Sequence, residues 1–129
     1  MSVYLLDTHT FLWLLDDDPR LTTRVKTIFL DPDNQLLLSD VSSWEMAIKS
    51  SLGKLSLPTS AAAFIPTQLR QNGIDAHPIT LGQVLAVESL PLHHRDPFDR
   101  LLAVQALEGL TLLSRDKVFD LYGVLRVWD

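Results

Sequence analysis

Short apolar runs alternate along the chain with segments that are apolar every three or four residues. Residues 3–6, 36–38, 111–113 and 125–127 carry almost no polar alternation, as strands do when both faces of a sheet are covered. Such strands pair in parallel. Between them, residues 8–15, 20–30, 41–51, 60–72, 80–89 and 97–108 are apolar on one helical face. Phe98, Leu101, Leu102, Val104, Gln105 and Leu107 show the pattern in the last of these. A further short strand is expected near 75–79, where Pro78 restricts it to a sheet edge or a strand end. The predicted fold class is α/β: a three-layer α/β/α sandwich around a central parallel sheet, in one domain spanning 1–129.

Composition agrees with that picture. A chain of 129 residues buries roughly two-thirds of its unfolded surface, which is enough for a real core. No repeat, low-complexity tract or linker interrupts it; residues 53–58 form a turn between two helices. No run is apolar for the 18 or so residues a membrane helix needs, and Asp7 stops the first apolar stretch too early for a signal peptide. A cytoplasmic location without membrane contact is therefore expected. The absence of cysteine excludes disulfides and thiol catalysis.

The formal charge of −5 argues against nucleic-acid binding by blanket neutralisation of phosphates. It leaves a nuclease open, because a bound metal cancels part of that charge. Arg20, Lys49, Lys54, Arg95, Arg100, Arg115 and Lys117 are available for a local basic rim.

Four distant acids, Asp7, Glu45, Asp99 and Asp116, each stand where an apolar run yields to a turn or a helix. In an open parallel sheet, ligands bind beyond the carboxyl ends of the strands, which is where these residues fall. Two carboxylates about 4 Å apart repel by roughly 4 kcal/mol at an effective dielectric near 20. Four of them gathered in one pocket must take up protons or hold a divalent cation, and hard oxygen donors suit Mg²⁺ or Mn²⁺. Each acid also has a capping reading. Asp96, Pro97 and Asp99 fit a helix start, Ser42 and Glu45 fit a capping box, Asp7 fits a cap on the helix beginning near His9, and Asp116 fits a turn after Ser114. The coincidence of four such positions at one sheet edge favours a shared site.

His93 and His94 stand beside the third acid as ligand or general-base candidates, yet no His-x-x-x-His spacing occurs and a loop role is the simpler reading. His9 suits either substrate contact or the surface. Trp13 lies in a stripe, residues 11–15, that is more apolar than one helix face needs, so part of it is a candidate for contact with another chain.

The segments Leu5-Leu6-Asp7-Thr8-His9-Thr10, Ser43-Trp44-Glu45-Met46-Ala47-Ile48-Lys49, His94-Arg95-Asp96-Pro97-Phe98-Asp99-Arg100-Leu101-Leu102-Ala103 and Leu113-Ser114-Arg115-Asp116 resemble, in order and spacing, the motifs of PIN-domain ribonucleases. The likeness extends to the small VapC-type toxins of prokaryotic toxin-antitoxin pairs and covers nearly the whole chain. The resemblance implies a Mg²⁺- or Mn²⁺-dependent endoribonuclease. Asp7, Glu45, Asp99 and Asp116 match the acidic positions, with Thr8 and Ser114 as polar supports and Asp96 as a less secure fifth acid. An RNA substrate, a cognate antitoxin and a homodimer are implied as partners. The low count of basic residues departs from an evident RNA-binding surface.

Three alternatives are weighed. A phosphoacceptor receiver domain needs paired acids after the first strand and a late Lys-Pro, and neither appears. A haloacid-dehalogenase-like phosphatase needs Asp-x-Asp where this chain has Asp7-Thr8-His9. A non-catalytic binding module on the same fold would bind metal weakly or not at all.

Overall fold

A computed structural model describes residues 2–129. Five strands, β1 (Val3–Leu6), β2 (Gln35–Ser39), β3 (Ile74–His77), β4 (Thr111–Leu113) and β5 (Leu125–Val127), form one sheet in the order β3-β2-β1-β4-β5. Every pairing is parallel. The strand near residue 75 is real, and it takes an edge with Pro78 just beyond its end.

The apolar runs lack polar alternation because successive side chains enter different cores. Leu6, Leu36, Leu38 and Leu113 join one cluster, while Leu5, Leu37 and Leu112 join the other. On the first face pack Phe11 and Leu14 of α1 (Thr8–Asp16), Val25 of α2 (Thr23–Leu30) and Ile65 of α4 (Ala61–Asn72). On the second pack Leu101, Leu102, Ala103 and Ala106 of α6 (Pro97–Ala106), with α5 (Leu81–Ala86) beside that helix. Helix α3 (Asp40–Ser51) serves both, through Met46 on one side and Val41 on the other. These are the three expected layers.

Several boundaries differ from the sequence reading, each for a local reason. Helix α2 starts at Thr23, capped by the Thr22 hydroxyl; Arg20 lies outside it, paired with Asp18. The segment expected to be helical over 80–89 divides into α5 and a 3-10 turn at Val87–Ser89. Helix α6 stops at Ala106, short of 108. Helix α3 opens one residue early because Ser39, the last residue of β2, caps it by accepting the Val41 N–H at 3.1 Å. Ser42 is therefore inside the helix. The capping-box reading of Ser42 with Glu45 fails, and Glu45 is free to project from mid-helix.

The chain runs from β1 outward through β2 to β3, then returns to place β4 on the other side of β1. The reversal of strand order lies between β1 and β4, and a crevice opens beyond the carboxyl ends of strands at such a point. Asp7 directly follows β1, and Asp116 follows β4 by three residues. Two bonds to one carbonyl tie these ends together: Leu113 O accepts the Asp7 N–H at 3.2 Å and the Thr10 hydroxyl at 2.9 Å.

Candidate metal centre

A cleft of about 150 Å³ at this edge is lined by Asp7, Thr8, Glu45, Lys49, His94, Asp96, Asp99 and Asp116, among others. All four acids predicted from the sequence meet here, and so do Thr8 and Asp96. Several of them also cap helices, so the capping and pocket readings hold together for the same side chains.

Asp7 is the N-cap of α1, its Oδ1 accepting the Thr10 N–H at 2.8 Å. It is buried, and burial pushes its carboxyl above the usual range, while hydrogen bonds from Ser114 and Thr10 oppose the rise. Glu45 comes to the cleft from the middle of α3 and is also buried. The Thr8 hydroxyl donates to its Oε1 at 2.6 Å, and Lys49, one turn along, pairs with its Oε2. That ion pair raises the Lys49 pKa. Both Glu45 oxygens are thus fixed, and its charge has a partner.

Asp96 caps α6, with Oδ1 accepting the Phe98 N–H at 2.8 Å and the Asp99 N–H at 3.3 Å. This leaves the Asp99 carboxylate to reach inward. Asp116 caps a 3-10 turn at Lys117–Tyr122 that the sequence reading missed, Oδ1 accepting the Val118 N–H at 3.0 Å. Ser114, fully buried, holds the approach to that turn: its Oγ accepts the Asp116 N–H at 3.0 Å.

His94 is the residue whose role was underread. Its Nε2 lies 3.1 Å from Asp99 Oδ2 and 3.0 Å from Asp116 Oδ2. Its Nδ1 faces the Asp96 N–H at 3.3 Å, which assigns Nδ1 as an acceptor and places the ring proton on Nε2, toward the two carboxylates. The Tyr122 hydroxyl accepts the His94 N–H at 2.7 Å and the His93 N–H at 3.1 Å, which fixes the loop. His93 turns away and packs edge-on against Tyr122. Nothing in local spacing separates the two histidines; the tyrosine that sorts them lies 28 residues downstream of His94.

The electrostatics is that of a site short of positive charge. The Asp99 carboxyl is pushed up to about 7, first by burial and then by the charge of Asp96, with Glu45 and Asp7 adding to the rise and His94 opposing it. One ligand atom from each of His94, Asp99 and Asp116 lies within 4.8 Å of the other two, while Asp7 and Glu45 line the same cleft outside that trio. Carboxylate oxygens with a single imidazole fit a hard or borderline divalent cation, and the raised Asp99 pKa is the penalty such a cation relieves. The residues present therefore fit the expected metal.

These features define a class. The model of the PIN domain family matches residues 4–125, and the chain belongs to that family. Ribonuclease VapC16 of Mycobacterium tuberculosis (strain ATCC 25618 / H37Rv) is 42% identical over 48 residues, which are 37% of this chain and 34% of that protein. The matched stretch thus spans about a third of that relative's length. In fold, the chain is similar to VapBC2 from Rickettsia felis, solved with a promoter DNA fragment, at a TM-score of 0.71 and 14% identity over 99% of this chain and 100% of that one. It is also similar to FitAB bound to the IR36 DNA fragment, with TM-score 0.66 and 18% identity over 96% and 93% of the two chains. FitAcB from Neisseria gonorrhoeae gives TM-score 0.59 and 19% identity over 95% of each chain. No helix among the described residues is long and apolar enough to cross a membrane.

Proposed function

We propose that this chain is a divalent-metal-dependent endoribonuclease and the toxin of a toxin-antitoxin pair. The observation that carries the reading is the meeting of Asp7, Glu45, Asp99 and Asp116 in one cleft at the strand-order reversal. Asp7, Asp99 and Asp116 would hold Mg²⁺ or Mn²⁺, directly or through water. What the cation supplies there is Lewis acidity toward a phosphodiester and toward water.

The chain's own groups do the rest. Glu45, paired with Lys49 and oriented by Thr8, is placed to bind the cation or to accept a proton from water. Asp7 is held rigidly by the first turn of α1, so its direction is set before any ligand arrives. His94 donates Nε2–H between Asp99 and Asp116, which tempers their repulsion when no cation is bound.

The antitoxin is inferred from likeness of fold to VapBC2 and FitAB and from the stretch shared with Ribonuclease VapC16. A groove of about 490 Å³ beside α1, walled by Leu12, Trp13, Leu15, Leu55 and Phe64, would take an apolar antitoxin segment. A basic antitoxin side chain in the acid cleft would then displace the cation. Part of the excess apolar stripe on α1 finds its use in that groove. The active unit would be a cytoplasmic homodimer.

The test is incubation of purified protein with RNA in Mg²⁺, in Mn²⁺ and in EDTA, beside Asp99→Asn. Cleavage that needs the metal and is absent in the variant is expected. Equal cleavage by the variant would remove Asp99 from the chemistry. Co-expression with the neighbouring small reading frame should give a stable complex with suppressed cleavage.

A further inference from the structure

A second cavity, about 330 Å³, adjoins the acid cleft and shares Asp7, His9 and Asp116 with it. Its other lining residues are Trp13, Arg115 and Lys117. We propose that it is the subsite for the nucleotide next to the cleaved bond, with the base lying against the His9–Trp13 pair and the backbone phosphates on Arg115 and Lys117. The proposal rests on the ribonuclease reading and assigns the path of single-stranded RNA across the site.

Charge supplies the first argument. The chain has 11 Lys and Arg residues against 16 acids, so few cations are left to meet a polyanion. Arg20, Lys26, Lys49 and Arg126 are held in ion pairs, and Arg24 and Arg100 donate to backbone carbonyls. Among the described residues, Lys54, Arg70, Arg95, Arg115 and Lys117 enter neither kind of contact, and of these Arg115 and Lys117 line the cavity beside the acid cleft. Both are exposed, and they flank Asp116, so two uncommitted cations border the acid site at the cavity it shares with Asp7 and His9.

Shape supplies the second argument. His9 and Trp13, one helical turn apart on α1, stack with centroids 5.6 Å apart and planes at 25°. Trp128 packs edge-on against Trp13 at 5.8 Å, which holds the indole in place. His9 is exposed while Trp13 is half-buried, with the Arg20 guanidinium 4.5 Å from its ring centroid, so His9 backed by Trp13 supplies the open aromatic face of the cavity that Arg115 and Lys117 also line. Aromatic walls paired with backbone-tracking cations are how proteins hold unpaired strands, and a base can reach such a wall only after leaving a helical stack. Both elements are set by the fold, because Asp7 starts α1 and Asp116 starts the turn that carries Lys117.

The test uses fluorescence anisotropy with a labelled ten-nucleotide oligouridine, on Asp99→Asn protein so that the probe stays intact. Adding Arg115→Ala with Lys117→Ala should weaken binding on the order of tenfold near 0.1 M salt and lower the salt slope by roughly 1.4, at about 0.7 per phosphate contact. Exchanging the two cations, Arg115→Lys with Lys117→Arg, should restore the slope. An abasic strand of the same length should bind more weakly than oligouridine, and His9→Ala should erase that difference. An unchanged slope in the double alanine variant, equal binding of the abasic strand, or equal binding of a duplex overturns the subsite and leaves the ribonuclease reading standing. Failure of the wild-type protein to bind or cut any RNA overturns both.

Discussion

Asp99→Asn separates the energetics of the pocket from its chemistry. In the metal-free fold the Asp99 carboxyl titrates at about 7, against 3.8 for the unfolded group. The folded state therefore holds a proton that the unfolded state has lost between these values, and stability falls as pH rises through that window. At 1.36 kcal/mol per unit, the full shift corresponds to about 4 kcal/mol above pH 7. The Asp99 side chain is 26% exposed, and the variant also loses the carboxylate contact to His94, so the net gain from an amide is about 1–3 kcal/mol. For a domain of this size that is a rise in melting temperature of roughly 4–12 °C. Thermal unfolding in EDTA at pH 8 should show this gain, and at pH 3 it should vanish, because both states are then largely protonated. A gain of equal size at both pH values, or a loss at pH 8, would refute the charge-crowding account. The same variant must be inactive on RNA.

Other consequences are simpler to state. Adding Mn²⁺ at about 100 times its dissociation constant should stabilise the wild-type protein by about 2.7 kcal/mol, read as a raised melting temperature, and should do little for Asp116→Asn. Thr8→Val leaves Glu45 Oε1 without its buried donor and should cost about 1–3 kcal/mol in urea unfolding, with reduced cleavage in the same preparation. Leu113→Ala opens a cavity beneath the site at a fully buried position and should cost about 2–5 kcal/mol by the same assay.

Much of this architecture was legible in the chain. Leu5 and Leu6, or Leu112 and Leu113, read as doubly covered strands because neighbouring residues do enter opposite cores. The acid cleft was legible because Asp7 and Asp116 follow strands that end on one edge. What escaped depends on distant partners. Glu45 reads as a cap until Ser39, not Ser42, is seen to open α3. His94 joins the site only because Tyr122 and the Asp96 N–H orient its loop, and neither contact leaves a periodic trace. The 3-10 turn after Asp116 is too short for a hydrophobic pattern, so that acid looked like a loop residue rather than the cap that places Lys117.

Anomalous diffraction from crystals soaked in Mn²⁺ addresses the carboxylate centre most directly. A peak in the cleft within coordination distance of Asp99 and Asp116, joined to Asp7 directly or through water, is the predicted result. A crystal with these side chains ordered and no manganese among them at saturating concentration would contradict it.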